Sequence, residues 1–129
     1  MPEGQTCVPD AHETVQGLWA TPEAGLAGNL TGKIPLSPPT VVTLYQLMAF
    51  NTLADLLAAS RSRLWGDAIR PRMVKMSDGA MIVEPWDPMY EAERIEIDSE
   101  PLEADLAPVG APFSRIWIHR GRCLPISTT

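Results

Sequence analysis

Four side chains in the sequence have the chemistry of zinc ligands, and they are its only cysteines and histidines. Cys7 and His12 lie near the start of the chain, and His119 and Cys123 lie near its end. Two thiolates and two imidazoles form a set that suits tetrahedral zinc. The spacings are loose, however, and a two-residue turn at 120–121 would point the last two side chains to opposite faces of a hairpin. Zinc is therefore the alternative expectation, and the leading one is that the protein uses no cofactor.

A second candidate group lies on a predicted strand near the end of the chain. Arg115, Trp117 and His119 occupy alternate positions there, and alternate side chains of a strand share one face. An imidazole beside a cation and an aromatic ring could bind a small ligand. The chain has no Gly-x-Ser-x-Gly motif, and no sequence typical of a cysteine nucleophile flanks Cys123. We therefore assign no catalytic residue, and the sequence leaves open whether the protein is an enzyme.

The run from Ala27 to Lys33 has the outline of a phosphate-binding loop but lacks the residues that make such a loop work. Alanine stands where the first glycine is required, and Ile34 follows the lysine where a hydroxyl would bind magnesium. Pro35 also prevents the regular helix whose N-terminus would hold the phosphate. Nucleotide binding through this run is therefore excluded.

Charge is distributed unevenly along the sequence. The net charge of −6 argues against nucleic acid or an anionic membrane as the main partner. Residues 84–105 hold nine acids and one base, whereas residues 61–75 hold five bases and one acid. Two interpretations stay open: the two segments neutralise each other within the fold, or they form a docking surface for a partner of complementary charge.

The cysteines and the first residues bear on the cellular compartment. Residues 1–30 are acidic, contain Pro and Gly, and lack the apolar stretch of a secretory signal. Two cysteines in such a chain are typical of free thiols in a reducing compartment. We therefore expect a cytoplasmic protein; in a secreted one, a bridge between Cys7 and Cys123 would be credible.

The elements that position these residues include one strong helix prediction. The chain of 129 residues is long enough for a single domain with its own core. Residues 40–64 contain no Gly or Pro, follow Pro38-Pro39, and end with Arg61 and Arg63, where cations suit the helix dipole. Apolar side chains occupy nearly the whole circumference of this helix, which indicates burial on all sides. We predict one long helix with more apolar surface than a small domain can cover.

The later part of the chain has the patterns of short strands. Residues 71–84 are predicted to form a β-hairpin with Asp78-Gly79 as a type I′ turn, because this pair favours positive φ at both turn positions. In that hairpin, Val74 is predicted to pair with Val83, and their side chains share a core face. Alternating apolar residues, or the position after a turn, predict three further strands: 94–98, 113–119 and 122–126.

Together these elements predict an α+β fold. The long helix of residues 40–64 packs on a small antiparallel, partly barrel-like sheet. Residues 1–39, which are rich in Pro and Gly, are predicted to form an extended arm, and residues 40–129 to form the single domain. Because the arm also contains scattered apolar residues, we expect it to lie over a protein surface.

The leading functional hypothesis is a small non-catalytic accessory or assembly subunit. It would dock on a larger protein, or on a second copy of itself, through the helix and the arm. Apolar and aromatic side chains are the expected contacts, and the set comprises Trp19, Leu44, Tyr45, Met48, Phe50, Trp65 and Trp86. The alternative is an α+β module that binds a small ligand or zinc through the residues named above.

Overall fold

The computed structural model describes residues 3–6, 8, 10, 12, 17–64, 66–97 and 99–127. In this part of the chain, the helices are α1 (Pro22–Leu30), α2 (Pro38–Leu47) and α3 (Leu53–Ser62). The strands are β1 (Arg72–Met76), β2 (Gly79–Val83), β3 (Phe113–His119) and β4 (Arg122–Ser127), and a 3₁₀ turn spans Glu103–Asp105. The prediction of an α+β fold with an antiparallel sheet is confirmed.

The strands form one open sheet in the order β1-β2-β3-β4. Each strand pairs antiparallel with the next one along the chain, so short turns connect β1 to β2 and β3 to β4. The outer strands β1 and β4 are the two edges of this sheet. The prediction of a partly barrel-like sheet is therefore wrong, since a barrel requires its first and last strands to pair.

The prediction of one long helix over residues 40–64 is also wrong. α2 ends at Leu47 and α3 begins at Leu53. A capping box marks the start of α3. The Asp55 backbone N–H donates to Thr52 Oγ1, and the Thr52 N–H donates to Asp55 Oδ2, each at 3.1 Å. These bonds satisfy backbone groups that a continuous helix would pair internally. Among the described residues, no helix is long and apolar enough to cross a membrane.

The prediction of an extended arm over residues 1–39 is wrong where α1 forms. Thr21 caps this helix, because its Oγ1 accepts a hydrogen bond from the Ala24 N–H at 3.2 Å. α1 packs against α2 and β4. Asn29 is buried in that contact, and its Nδ2 donates to the Cys123 carbonyl at 2.7 Å. The boundary between arm and domain at residue 39 stays a prediction.

The β3–β4 hairpin has the predicted register. His119 pairs with Arg122 and Ile118 pairs with Cys123 around a two-residue turn. Arg120 has a φ of 49° and Gly121 a φ of 74°. Positive φ at both positions is the signature of a type I′ turn, whose twist matches that of antiparallel strands.

The β1–β2 hairpin has the predicted faces but a different register. Val74 pairs with Met81, and Met76 pairs with Gly79, so Ser77 and Asp78 form the turn. The predicted pairing of Val74 with Val83 is therefore wrong by two residues. Because side chains alternate with a period of two, that shift keeps the same residues on the core face. Gly79 follows the turn with a φ of 109°, and a Cβ there would lie 1.9 Å from the Ile118 carbonyl oxygen.

The two faces of the sheet have different covers. α1 and α2 cover one face, where Leu26, Val41 and Val42 pack against Ile82 and Ile116. The segment between β2 and β3 covers the other face, where apolar residues of that segment meet side chains of β2, β3 and β4. Buried residues of this second core are Met81, Val83, Ile95, Trp117 and Leu124.

The strand predicted at residues 94–98 does not form. Ile95 is buried and Glu96 is exposed, so the alternation of the sequence is kept. The described residues 94–97 nevertheless belong to none of the strands. Ile95 packs into the second core from a loop, whereas a strand requires a neighbouring strand for its backbone hydrogen bonds. Asp98, the last residue of the predicted strand, lies outside the described residues.

Candidate functional site

The predicted zinc ligands are not brought together in the described part of the chain. His119 and Cys123 point to opposite faces of the β3–β4 hairpin, since Ile118 and not His119 is the partner of Cys123. Cys123 is a free thiol within the helix-covered core, and burial raises its pKa, which disfavours the thiolate that metals bind. His12 is exposed beside Asp10. Cys7 lies outside the described residues, so the four-ligand set stays a prediction, and no group of three or more metal-ligating side chains occurs among the residues that are described.

The predicted face of Arg115, Trp117 and His119 is real but is not an open pocket. Trp117 is buried, and His119 stacks on it with ring centroids 4.2 Å apart. The Arg115 guanidinium is held by Asp87, with Nε 2.8 Å from Oδ2 and Nη2 3.1 Å from Oδ1. The three side chains therefore serve packing and ion pairing within the domain. Their role as a ligand site stays a prediction.

The predicted contact residues of α2 lie partly within the chain's own core. Leu44, Tyr45 and Met48 are half-buried against the helix-covered face of the sheet. The Tyr45 ring meets the Phe113 ring edge-on at 4.9 Å. Phe50, in the link between α2 and α3, is half-buried as well. These side chains have less free surface than a wholly exposed interface would offer.

The tryptophans predicted as contacts differ in their surroundings. Trp19 is exposed, before the start of α1. Trp86 is partly exposed, and its Nε1 donates to the Phe113 carbonyl at 2.8 Å. This bond fixes the ring against the first residue of β3. Trp65 lies outside the described residues. Of the two described tryptophans, Trp19 has the ring with more surface available to a partner.

The described residues of the acidic and basic segments do not neutralise each other through direct ion pairs. Within the described residues, Arg115–Asp87 is the one ion pair between an arginine or lysine and a carboxylate. The Arg72 guanidinium is directed instead to the backbone carbonyls of Tyr90 and Ala92, at 2.6 and 2.5 Å. Most charges of both segments therefore remain on the surface.

One side of α3 has two exposed leucines. This helix has no buried residue. Leu53 is 68% exposed and Leu57 is 46% exposed. Together with Arg61 they follow one another at intervals of four, which places them in one stripe along the helix. We call this stripe of Leu53, Leu57 and Arg61 the α3 face.

A small cavity with a buried carboxyl lies beside α2. It has a volume of about 180 Å³ and is bounded by α2, by the coil that leads to β1, and by Glu84 at the end of β2. Glu84 is only 2% exposed, and its Oε2 has no hydrogen-bond partner among the described residues. Burial raises the pKa of this carboxyl above its usual value. We call this space the Glu84 cavity.

Asp87, three residues further on, shows how a buried carboxylate is normally satisfied. Burial opposes its ionisation, but hydrogen bonds from Arg115, Ser114 and the Met89 N–H outweigh that effect and lower its pKa. The Ser114 hydroxyl donates to Oδ2 at 2.6 Å, and the Met89 N–H donates to Oδ1 at 2.9 Å. In the described part of the chain, the Glu84 carboxyl has no such set of donors, although the two residues belong to one turn. The contrast marks Glu84 as the polar group that a ligand could satisfy.

Comparison of the chain with protein-family models, with curated proteins and with solved structures finds no match. The functional proposal therefore rests on the contacts, burial and charge of the residues themselves.

Both candidate sites contain residues that sequence reasoning did not select. Leu53 and Leu57 were not distinguished from the other apolar residues of the predicted helix, because that helix was expected to be covered on all sides. Glu84 was grouped with a run of acids in which an outward charge is the ordinary outcome. The one sequence signal for the first was Thr52-x-x-Asp55, a capping box inside the predicted helix. The burial of Glu84 comes from α2 and residues 69–71, which lie far away in the sequence.

Proposed function

We propose that the protein is a small non-catalytic accessory subunit that docks on a larger protein through the α3 face. The observation that carries the proposal is that α3, a helix of ten residues, has no buried residue. Isolated helices this short are marginal in water, and most helices in proteins are stabilised by packing of an apolar face. A protein that covers Leu53 and Leu57 would supply the packing that the chain's own sheet does not.

The proposed partner has an apolar groove with carboxylates along its rim. Leu53 and Leu57 would fill the groove as anchors at an interval of one helical turn. Arg61 continues the stripe, and Arg63 follows the helix; both are exposed and neither forms an ion pair within the described residues. Carboxylates at the rim would fix the direction of the helix and speed association. A second copy is a poorer occupant, because two chains that each carry a net charge of −6 repel one another.

Other parts of the chain have secondary roles in this proposal. Trp19 is an additional contact, since exposed tryptophan is enriched among residues that contribute most to binding. Leu44, Tyr45 and Met48 support the domain's own core, so the main contact is assigned to the α3 face instead. The cytoplasm is the proposed compartment, because Cys123 is a free buried thiol.

Site-specific crosslinking in the native host tests the proposal. A photo-crosslinking amino acid is placed at Leu57 and, as a control, at Ala58 on another side of the same helix. The protein captured from position 57 is then purified, and its affinity is measured for the natural chain and for two charge-matched variants. These are Leu53→Glu/Leu57→Glu and Ala54→Glu/Ala58→Glu.

We expect the leucine variant to bind at least about 30-fold more weakly, because it puts charge into an apolar contact. The alanine variant should stay within about threefold of the natural chain, since its charges lie on another side of the helix. Equal affinity of the leucine variant and the natural chain would overturn the proposal. Crosslinks from position 57 only to another copy of this chain would also overturn it, because the occupant would then be the chain itself.

A further inference from the structure

The Glu84 cavity combines apolar walls with one unsatisfied buried carboxyl. Pro38, Pro39 and Val42 of α2 form one wall, and Ile69 and Pro71 form another. Among the lining residues, all of which the structure describes, Glu84 is the one titratable group. A buried carboxylate without a partner carries a large desolvation cost unless a cation or hydrogen-bond donors pair with it. A small positively charged ligand in the cavity would therefore pair with the Glu84 carboxylate and offset this cost.

From this arrangement we infer that the Glu84 cavity binds an alkylammonium group, in which an ammonium terminates a short chain of methylenes. The ammonium would pair with the Glu84 carboxylate, and the methylenes would lie against the proline, valine and isoleucine walls. An ammonium is a compact point charge with three donors, and its alkyl stem buries readily along apolar surface. The inference does not depend on the α3 face, which is a different part of the molecule.

The volume of the cavity restricts the ligand to this size. The cavity has a volume of about 180 Å³. Pockets for ligands of drug size hold about 300–1,000 Å³, so the cavity suits a smaller ligand. A chain of four carbons with a terminal ammonium is within the available space. Such a chain occurs in free amines and in the side chain of lysine.

The remaining donors of the ammonium have acceptors within the same cavity. Thr43 and Gln46 of α2 line it together with Glu84. The Thr43 hydroxyl donates its proton to the Pro39 carbonyl at 2.9 Å, which leaves its oxygen free to accept. A planar guanidinium, with five donors, would leave more N–H groups against apolar walls. A calcium or magnesium ion needs about six oxygen ligands, and one carboxyl does not supply them.

The binding should strengthen as the pH rises through the raised pKa of Glu84. At lower pH a carboxyl that burial has made harder to ionise is protonated more often, and a neutral carboxyl does not pair with a cation. The charged groups near this part of the chain do not compete. Arg115 is already held by Asp87, and Arg70 lines a separate depression with Asp67 and Tyr90.

Nuclear magnetic resonance titration of the full chain tests the inference. The probe is n-butylammonium chloride, and the shifts followed are those of the Val42 and Ile69 methyl groups. Neutral 1-butanol, which has the same carbon chain, is the control ligand. We expect a dissociation constant on the order of 1 mM for butylammonium at pH 8, as suits a ligand of so few atoms.

Two variants separate the carboxyl from general charge effects. Glu84→Gln should weaken butylammonium binding at least tenfold, whereas Glu91→Gln, at an exposed acid outside the cavity, should change it less than twofold. The glutamine is isosteric and removes a buried charge, so the variant should fold. Equal binding of 1-butanol and butylammonium would overturn the inference, and so would unchanged binding by Glu84→Gln.

A second pair of ligands identifies the source of the ammonium. N-acetyl-lysine-N-methylamide is compared with the same compound acetylated at its side-chain nitrogen. Tighter binding of the first compound than of butylammonium assigns the cavity to a lysine side chain of a protein. Binding of butylammonium without binding of either lysine compound assigns it to a free amine. The two proposals are tested independently. If Leu53→Glu/Leu57→Glu does not affect docking, the conclusion about amine binding by the Glu84 cavity is unchanged. If the cavity does not bind amines, the conclusion about docking through the α3 face is unchanged.

Discussion

α2 and α3 come from one apolar stretch of sequence, and they have opposite surroundings in the fold. Each has ten residues. Val41 of α2 is 0% exposed, and Val42 beside it is buried. α3 has no buried residue, although leucines make up three of its ten positions. α2 packs against both α1 and the sheet, whereas α3 follows the link after Met48 and has no extensive contact with either. Apolar composition therefore indicates that a helix needs cover, but the position of the sheet decides which helix the chain can cover itself.

The largest expected effect is a difference in stability between matched truncations of the two helices. Val41→Ala should lower the free energy of unfolding by about 2 kcal/mol, because it removes packed methyl groups and leaves a cavity. Leu57→Ala should change it by less than about 0.5 kcal/mol, since the leucine side chain is already half in water. Urea unfolding of the two variants beside the natural chain gives both values. A loss of about 2 kcal/mol from Leu57→Ala would break the comparison, because it would show that α3 packs on the domain.

A smaller effect of opposite sign is expected on the covered side, where Glu84 lies against α2. The folded state raises the pKa of Glu84 above its usual value of 4.5. Protonated Glu84 therefore does not destabilise the natural chain below pH 4.5. The free energy of unfolding decreases as the pH rises through the folded-state pKa, because the buried carboxyl ionises. Glu84→Gln removes the ionisable group, so it should be more stable than the natural chain by about 1.5 kcal/mol at pH 7. At pH 4 the two proteins should differ little.

Thermal unfolding at several pH values measures this difference. Glu91→Gln, at an exposed acid, serves as the control and should follow the natural chain throughout. A Glu84→Gln variant that is less stable at pH 7 would contradict the assignment of Glu84 as an unsatisfied buried acid.

The smallest effect on the whole domain is expected from the cap of α3. Thr52→Ala removes the hydroxyl that accepts from the Asp55 N–H, which should cost the helix about 1 kcal/mol. Because α3 does not pack into the core, we expect the melting temperature of the domain to stay nearly constant while helical circular dichroism decreases. Thr21→Ala, at the cap of the packed helix α1, is the matched control and should lower the melting temperature. Equal changes in melting temperature would show that both helices unfold with the core.

Local patterns predicted the sheet better than they predicted the helices. The Arg120-Gly121 turn fixes its own register, because both residues adopt positive φ and no distant contact is needed. The first hairpin kept its core face despite a different turn, since a shift of two residues preserves the alternation. The helix break at residues 48–52 depends on whether Thr52 caps a new helix or continues the old one. The apolar pattern of residues 40–64 does not distinguish one continuous helix from two shorter helices.

The candidate sites were less predictable, because they depend on contacts between segments distant in sequence. Ile95 and Glu96 alternate in burial as the sequence indicates, yet a strand also requires a partner that this loop does not have. Glu84 resembles the other acids of residues 84–105 and differs from them only because α2 and residues 69–71 close over it. Asp87 is in the same sequence context, and Arg115 and Ser114 satisfy it. Neither the composition nor the spacing of these acids indicates that Asp87 has hydrogen-bond donors and that Glu84 lacks them.

Amide hydrogen exchange of the isolated full-length chain tests the central claim most directly. We propose that this chain covers α2 itself and that a partner covers α3. We expect the amides of residues 45–47 in α2 to exchange slowly, at rates set by global unfolding, because that helix is packed. We expect the amides of residues 57–62 in α3 to exchange within about tenfold of the unstructured rate, since a lone helix of this length frays continually. Equal protection of the two helices in a chain that sediments as a monomer would contradict the account.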